Sequence, residues 1–390
     1  MISVKYLNSY KTMSEENIQI LEQCPSMFRP FYNVKNNIIL NNGHSSLLPT
    51  VPNDATYDRP FSLSNTYTTM IDYIKYKRKS LLKTREYLVN KMDGGTMALD
   101  WYDFGVGGDD KTPIVIFNHS FLGGSDDDSY INYFCRYAHE TKGFRSVVFI
   151  NRGCSGIPIT ANTTGLGCRT DDFEIAVDYI KQKYPNTILF NIGSYLGGTI
   201  GLNYLYKYKE ESPITAHVCI SNPVDLGESY DSYTKTFKNR MIDYRVLHRQ
   251  LVKYYSKFDS RLKMVGTTLD DIKRAKSLRE IDQLTTVKMF GYRNVDDYYD
   301  DANRGIENIE NLGRPILMLS NDHDPRSIYE KLPLQKIKTN ERVILALTKQ
   351  TQEQFGLTTS ISSSSSSSSW NNWCHRAALE YLSTFVKKIK

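Results

Sequence analysis

From about residue 97 the chain alternates short apolar runs with longer windows in which apolar residues recur every third or fourth position. The runs are MALDWYDF (97–104), PIVIFN (113–118), RSVVFIN (145–151), TILFNI (187–192) and AHVCISN (216–222). Between them lie windows such as DDFEIAVDYIKQKY (171–184) and GGTIGLNYLYKYK (197–209), whose spacing predicts helices with one buried stripe. Short apolar strands separated by amphipathic helices predict an α/β protein with a mostly parallel sheet covered on both faces. Upstream, residues 69–89 read as a helix, with Ile71, Ile74 and Leu82 available for packing. The first sixty residues are rich in Asn, Tyr, Ser and Pro without sustained periodicity and read as an extended arm.

The alternation stops near Asp225. The next eighty or so residues are helical in pattern, charged and Tyr-rich, as an inserted cap would be, before PILMLSN (315–321) and RVILALT (342–348) return to strand. Residues 362–369 are eight consecutive serines, too polar to pack, and predict a surface loop. RAALEYLSTFVKK (376–388) closes the chain as a helix with Leu379, Leu382 and Val386 on one stripe. The expected organisation is an arm over 1–68, a first core part over 69–224, a helical cap over 225–308 and a second core part over 309–390.

Composition narrows the class. The 390 residues are 40% apolar and 24% charged, enough for a core and against global disorder. No apolar run is long enough to span a bilayer, and Lys5, Lys11, Glu15 and Glu16 interrupt the start, so the expected location is the cytoplasm, with peripheral contact with membranes left open. Six scattered cysteines without a CxxC pair argue against a zinc site or a disulfide framework, and neither metal nor cofactor is expected. The net charge of +6 reads as spread along the chain, clustered only at KYKRKS (75–80) and the terminal VKKIK, so no nucleic-acid partner is expected.

In a parallel sheet the chemistry belongs at the carboxyl ends of the strands. After TILFNI comes Gly193-Ser194-Tyr195-Leu196-Gly197-Gly198, opening a helix. Two glycines four apart between strand and helix frame a nucleophile elbow, whose middle residue is held in a strained turn. Here that residue is Tyr195, and Ser194 stands one place early.

Read together, several segments carry a resemblance. LNNGHSSLLPT (40–50), REYLVNKMDGGTMALDWYD (85–103), FLGGSDDDSYI (121–131), VVFINRGCSGIPIT (147–160), SLREIDQ (277–283), FGYRNVDDYY (290–299) and ILMLSNDHDP (316–325) resemble, in order, the signature blocks of AB hydrolase family 4, the embryogenesis-associated-8-like esterases and lipases. The resemblance implies an α/β-hydrolase fold with a helical cap, a Ser-His-Asp triad and an acyl-ester or lipid ligand. Carried over by position, it places the acid at Asp324 and the nucleophile at Tyr195. The histidine position meets Gln354 when aligned on Gly356, or Glu353 when counted without a gap. The oxyanion loop falls on His119-Ser120-Phe121, with Leu196 supplying the amide after the nucleophile.

A serine nucleophile needs a base to take its proton, and the base needs an acid to fix its tautomer. Gln354 cannot act as a base. A tyrosine hydroxyl lies roughly 6.5 Å from its Cα, against about 2.4 Å for serine, so it would overshoot the acyl carbon. Two readings follow. One is a degenerate hydrolase that keeps scaffold and cap as a ligand-binding or interaction module, with Tyr195 filling the pocket and its hydroxyl on a partner such as Asp324. The other is a working carboxylesterase or acylglycerol lipase using Ser194, with His119, His323 or His375 as base.

Overall fold

The computed structural model describes residues 4–6, 83–102, 109–120, 122–125, 129–165, 169–321, 328–348 and 373–389. Nine strands form one sheet: β1 (Val4–Tyr6), β2 (Thr84–Val89), β3 (Thr96–Tyr102), β4 (Ile114–Asn118), β5 (Arg145–Ile150), β6 (Leu189–Ser194), β7 (Ile214–Ile220), β8 (Ile316–Asn321) and β9 (Val343–Thr348). Their order is β1-β9-β8-β7-β6-β4-β5-β3-β2. The six strands from β4 to β9 are mutually parallel, while β1, β2 and β3 pair antiparallel at the margins.

The helices used below are α1 (Ser129–Lys142), α2 (Asp171–Lys183), α3 (Leu196–Tyr208), α4 (Leu226–Lys235), α5 (Arg245–Tyr255), α6 (Asp259–Met264), α7 (Leu269–Arg274), α8 (Leu278–Leu284), α9 (Thr286–Phe290), α10 (Val295–Glu307), α11 (Leu334–Thr339) and α12 (Trp373–Ile389). Strand alternation sorts the core into two layers. Ile114 and Ile116 of β4 face α2, α3 and α11, alongside Phe173, Leu202 and Ile337. Val115 and Phe117 face the other way, into a cluster built with Phe134 of α1, Leu382 of α12 and the helices that follow β7. Every β4 residue is buried, which is why the strand reads as continuously apolar.

One reading is corrected. The helix expected to run through Val89 gives way at Thr84 to β2, an edge strand paired with β3, while residues 69–82 lie outside the described residues. An edge strand with one buried side chain, Leu88, carries too little alternation to announce itself. β6 also extends two residues further than its apolar run, through Gly193 and Ser194, because β7 continues beside it with Ser194 opposite Ile220.

The topology locates the chemistry. From β4 the chain passes through α1 to β5 on one side, and from β6 through α3 to β7 on the other. The two connections diverge at the carboxyl ends of β4 and β6, where Asn118 and Gly193 are register partners. Such a switch point is where an open α/β sheet leaves a crevice.

Candidate active site

At this switch point Tyr195 alone separates β6 from α3, with φ 52° and ψ −116°. A non-glycine residue there carries strain of about 1–3 kcal/mol and persists only where its surroundings fix it. They do. The Tyr195 amide donates to the Ile220 carbonyl at 3.0 Å, and its carbonyl accepts from the amides of Gly198 at 2.9 Å and Thr199 at 3.3 Å. The flanking glycines let the first turn of α3 fold back against the strands. A Cβ on Gly193 would lie 2.3 Å from the Gly197 carbonyl oxygen, and one on Gly197 would lie 2.3 Å from that of Asn118. The backbone is thus that of a nucleophile elbow with a tyrosine at its apex.

The Tyr195 side chain is only 4% exposed and packs in the cluster containing Ile192, Leu196, Ile220 and Tyr230. Its hydroxyl lies 2.8 Å from the Ser229 hydroxyl on α4, a buried contact that ties the helices after β7 to the elbow. The partner anticipated from sequence was Asp324, which lies outside the described residues, as do Phe121, His323, Glu353, Gln354 and the serine run at 362–369. Ser229 stands 34 positions away, and no local pattern announces the pairing.

Ser194 is the last residue of β6 and is 2% exposed. By alternation it shares the sheet face of Ile192, the one covered by α1 and α12. The half-buried Ser120 anchors a tight turn after β4: its carbonyl accepts from the Gly123 amide at 3.1 Å, and Leu122 follows with φ 59°. Leu196, 6% exposed, opens α3.

Two of the histidines considered as replacement bases fall within the described residues. His119 is buried, with Nδ1 2.7 Å from the Ser120 carbonyl and Nε2 3.2 Å from the Asn151 amide. This network assigns the proton to Nδ1 and has Nε2 accept from the backbone. Asn151 was not singled out from sequence, and its position at the end of RSVVFIN was the available signal. His375 lies in α12, edge-on to Phe134 with ring centroids 5.1 Å apart, and burial pushes its pKa down to about 3.

Beneath the elbow runs a buried polar chain. The Asn118 amide donates to the Asn191 side-chain oxygen at 3.3 Å, the Asn191 amide lies 3.0 Å from His217 Nδ1, and His217 Nε2 lies 3.1 Å from Cys219 Sγ. Burial lowers the His217 pKa to about 4, so the ring is neutral at physiological pH.

The most distinctive sequence blocks are structural knots. Arg152 reaches Asp172 at 2.5 Å and Asp93 at 2.6 Å, and a Cβ on Gly95 would lie 2.1 Å from the Arg152 guanidinium carbon. The DGG and arginine-glycine blocks are therefore two halves of one contact. Arg85 grips the fully buried Asp100 with two bonds of 2.6 and 2.7 Å. Burial alone would raise the Asp100 pKa, but bonds from Arg85 and Ser125 and the charge of Lys83 hold it below the ordinary carboxylate value. Among the described residues no His, Cys, Asp and Glu cluster has the makings of a metal site, and no helix is long and apolar enough to cross a membrane.

Comparison with known proteins agrees with this geometry. The profile of the alpha/beta hydrolase fold family matches residues 113–345. An abhydrolase domain-containing protein of Dictyostelium discoideum is 36% identical over 382 residues, covering 97% of this chain and 93% of that protein. Phospholipase ABHD3 of Mus musculus is 30% identical over 276 residues, 69% of this chain and 66% of the relative. A monoacylglycerol lipase of Saccharomyces cerevisiae is 28% identical over 245 residues, 62% of this chain and 54% of the lipase.

Proposed function

This chain belongs to the α/β hydrolase fold family, among lipase- and esterase-like relatives, and from that scaffold we propose that it binds an acyl-ester or lipid ligand without hydrolysing it through a serine. The observation that carries the reading is Tyr195: the apex of the elbow holds a buried phenol bonded to Ser229 where the chemistry needs a short, accessible hydroxyl. Asp324 keeps the position of the acid, while Gln354, or Glu353 in the gap-free count, stands where the base should be. Loss of the serine or the histidine from a working triad costs about a million-fold in turnover, and the second loss adds little. What remains of the machinery among the described residues is the Leu196 amide and the turn at Ser120.

Ser194 as an alternative nucleophile has the wrong setting. It ends β6 with its side chain buried, one place before the apex of the elbow, and the Nε2 of His119 is already engaged by a backbone amide.

The test is hydrolysis of p-nitrophenyl butyrate and of a monoacylglycerol by the purified chain, its Tyr195→Phe and Ser194→Ala variants, and the double replacement Tyr195→Ser with Gln354→His. The reading expects the parent and both single variants to sit together at the buffer background, and the double replacement to rise above it. A parent rate well above background that Ser194→Ala abolishes would overturn it.

A further inference from the structure

The +6 charge is not evenly spread, contrary to the expectation from sequence. Residues 235–264 hold nine Lys and Arg against two Asp, an excess larger than the net charge of the whole chain. The segment is almost continuously helical, from Phe237 through α5 to the end of α6. Its inner face buries Leu251, Tyr254, Tyr255, Phe258 and Leu262. The outer face of α5 carries Arg245, Arg249 and Lys253, all exposed and spaced four apart. Like charges at that spacing repel and weaken a helix.

Several cations on the neighbouring helices are matched. Lys263 pairs with Asp259, Lys273 with Asp270, Arg274 with Asp271, Arg293 with Asp297 and Arg304 with Asp301. The Arg245, Arg249 and Lys253 stripe has no ion pair with an acid among the described residues. Large apolar side chains stand exposed along the same segment: Phe237 is 80% exposed, Met264 70% and Val246 40%. Unmatched cations and exposed aromatic and aliphatic groups along one helical segment are the makings of an interfacial surface, in which the cations meet lipid phosphates and the apolar groups enter the headgroup boundary.

We propose that the outer face of residues 237–264 docks on an anionic lipid bilayer. The occupant follows from the charge and from the apolar groups together: a nucleic acid would satisfy the arginines but offers no apolar layer to Phe237 and Met264, whereas an anionic bilayer supplies both. The surface lies behind the elbow in the chain, since α4, which carries Ser229, runs directly into it, so docking would bring the helices over Tyr195 against the membrane. The proposal does not depend on whether the elbow hydrolyses anything.

Flotation with vesicles tests it, using the purified full chain and two compositions: phosphatidylcholine alone, and phosphatidylcholine with one part in three phosphatidylserine. Binding is expected only to the second and should weaken with salt. Arg245→Gln, Arg249→Gln and Lys253→Gln combined should lower the partition coefficient roughly a hundredfold, from about a fivefold effect per charge, with a melting temperature no lower than the parent's because repulsion is relieved. Phe237→Ser with Met264→Ser, which leaves every charge, should also weaken binding. Equal binding to both vesicle types would overturn the proposal. So would an unchanged partition in either variant, or binding to single-stranded RNA or polyglutamate that exceeds vesicle binding and ignores the Phe237→Ser change.

Discussion

Replacing Tyr195 by alanine and, separately, by glycine separates the two things this residue does. Both changes delete a ring that is 4% exposed, and removal of a buried aromatic to alanine costs about 3–5 kcal/mol. Both also delete the hydroxyl contact with Ser229. They differ at the backbone. At φ 52° and ψ −116° alanine keeps strain of about 1–3 kcal/mol that glycine releases. Glycine in turn adds about 0.4–1 kcal/mol of unfolded-state entropy. The balance leaves the glycine variant about 1 kcal/mol more stable than the alanine variant, the reverse of the order at an ordinary helical position. With an unfolding entropy of roughly 2.1 cal/mol/K per residue, that is about one degree in a chain of this length, and both variants should melt several degrees below the parent. Differential scanning calorimetry resolves such a gap. An alanine variant that melts above the glycine variant would refute the strained elbow.

Three further outcomes follow from the same contacts. Gly95→Ala drives a methyl into the Arg152 guanidinium, 2.1 Å from its carbon, and should cost about 3–5 kcal/mol by parting Arg152 from Asp93 and Asp172; an unchanged urea midpoint would show that the knot yields freely. A double-mutant cycle of Tyr195→Phe and Ser229→Ala should return a coupling of about 0.5–1.5 kcal/mol, and zero coupling would remove the bond from the account. Asp282 on α8 is buried, accepts from Thr286 and Tyr299, and has its pKa pushed up by burial to about 7 against 3.8 for the free side chain. The folded state therefore holds the extra proton between these values, so the group lowers stability as pH rises from 3.8 to about 7. Asp282→Asn should flatten that part of the stability profile, as followed by melting temperature against pH, and a slope identical to the parent's would contradict the assignment.

The central strands were legible because both of their faces are covered, so that β4 and β5 read as unbroken apolar runs within a residue or so of their true limits. β2 was not, since its edge position leaves Tyr87 and Val89 exposed and its sequence lacks a clean alternation. The elbow frame at Gly193 and Gly197 could be read because steric contact leaves room only for glycine. The company Tyr195 keeps could not, because Ser229 arrives from beyond β7. The same holds for the knot around Arg152, whose partners are 59 and 20 positions away. The basic stripe on α5 was present in the spacing of Arg245, Arg249 and Lys253, but its meaning depends on exposure and on missing acids, which only the fold reveals.

The most direct test of the claim that Tyr195 has replaced serine chemistry is labelling of the purified chain by a fluorophosphonate probe, which bonds covalently to an activated serine. The account predicts no labelling of the parent or of Tyr195→Phe, and labelling of the Tyr195→Ser, Gln354→His double variant at residue 195. Labelling of the parent that survives Tyr195→Phe and disappears in Ser194→Ala would contradict it.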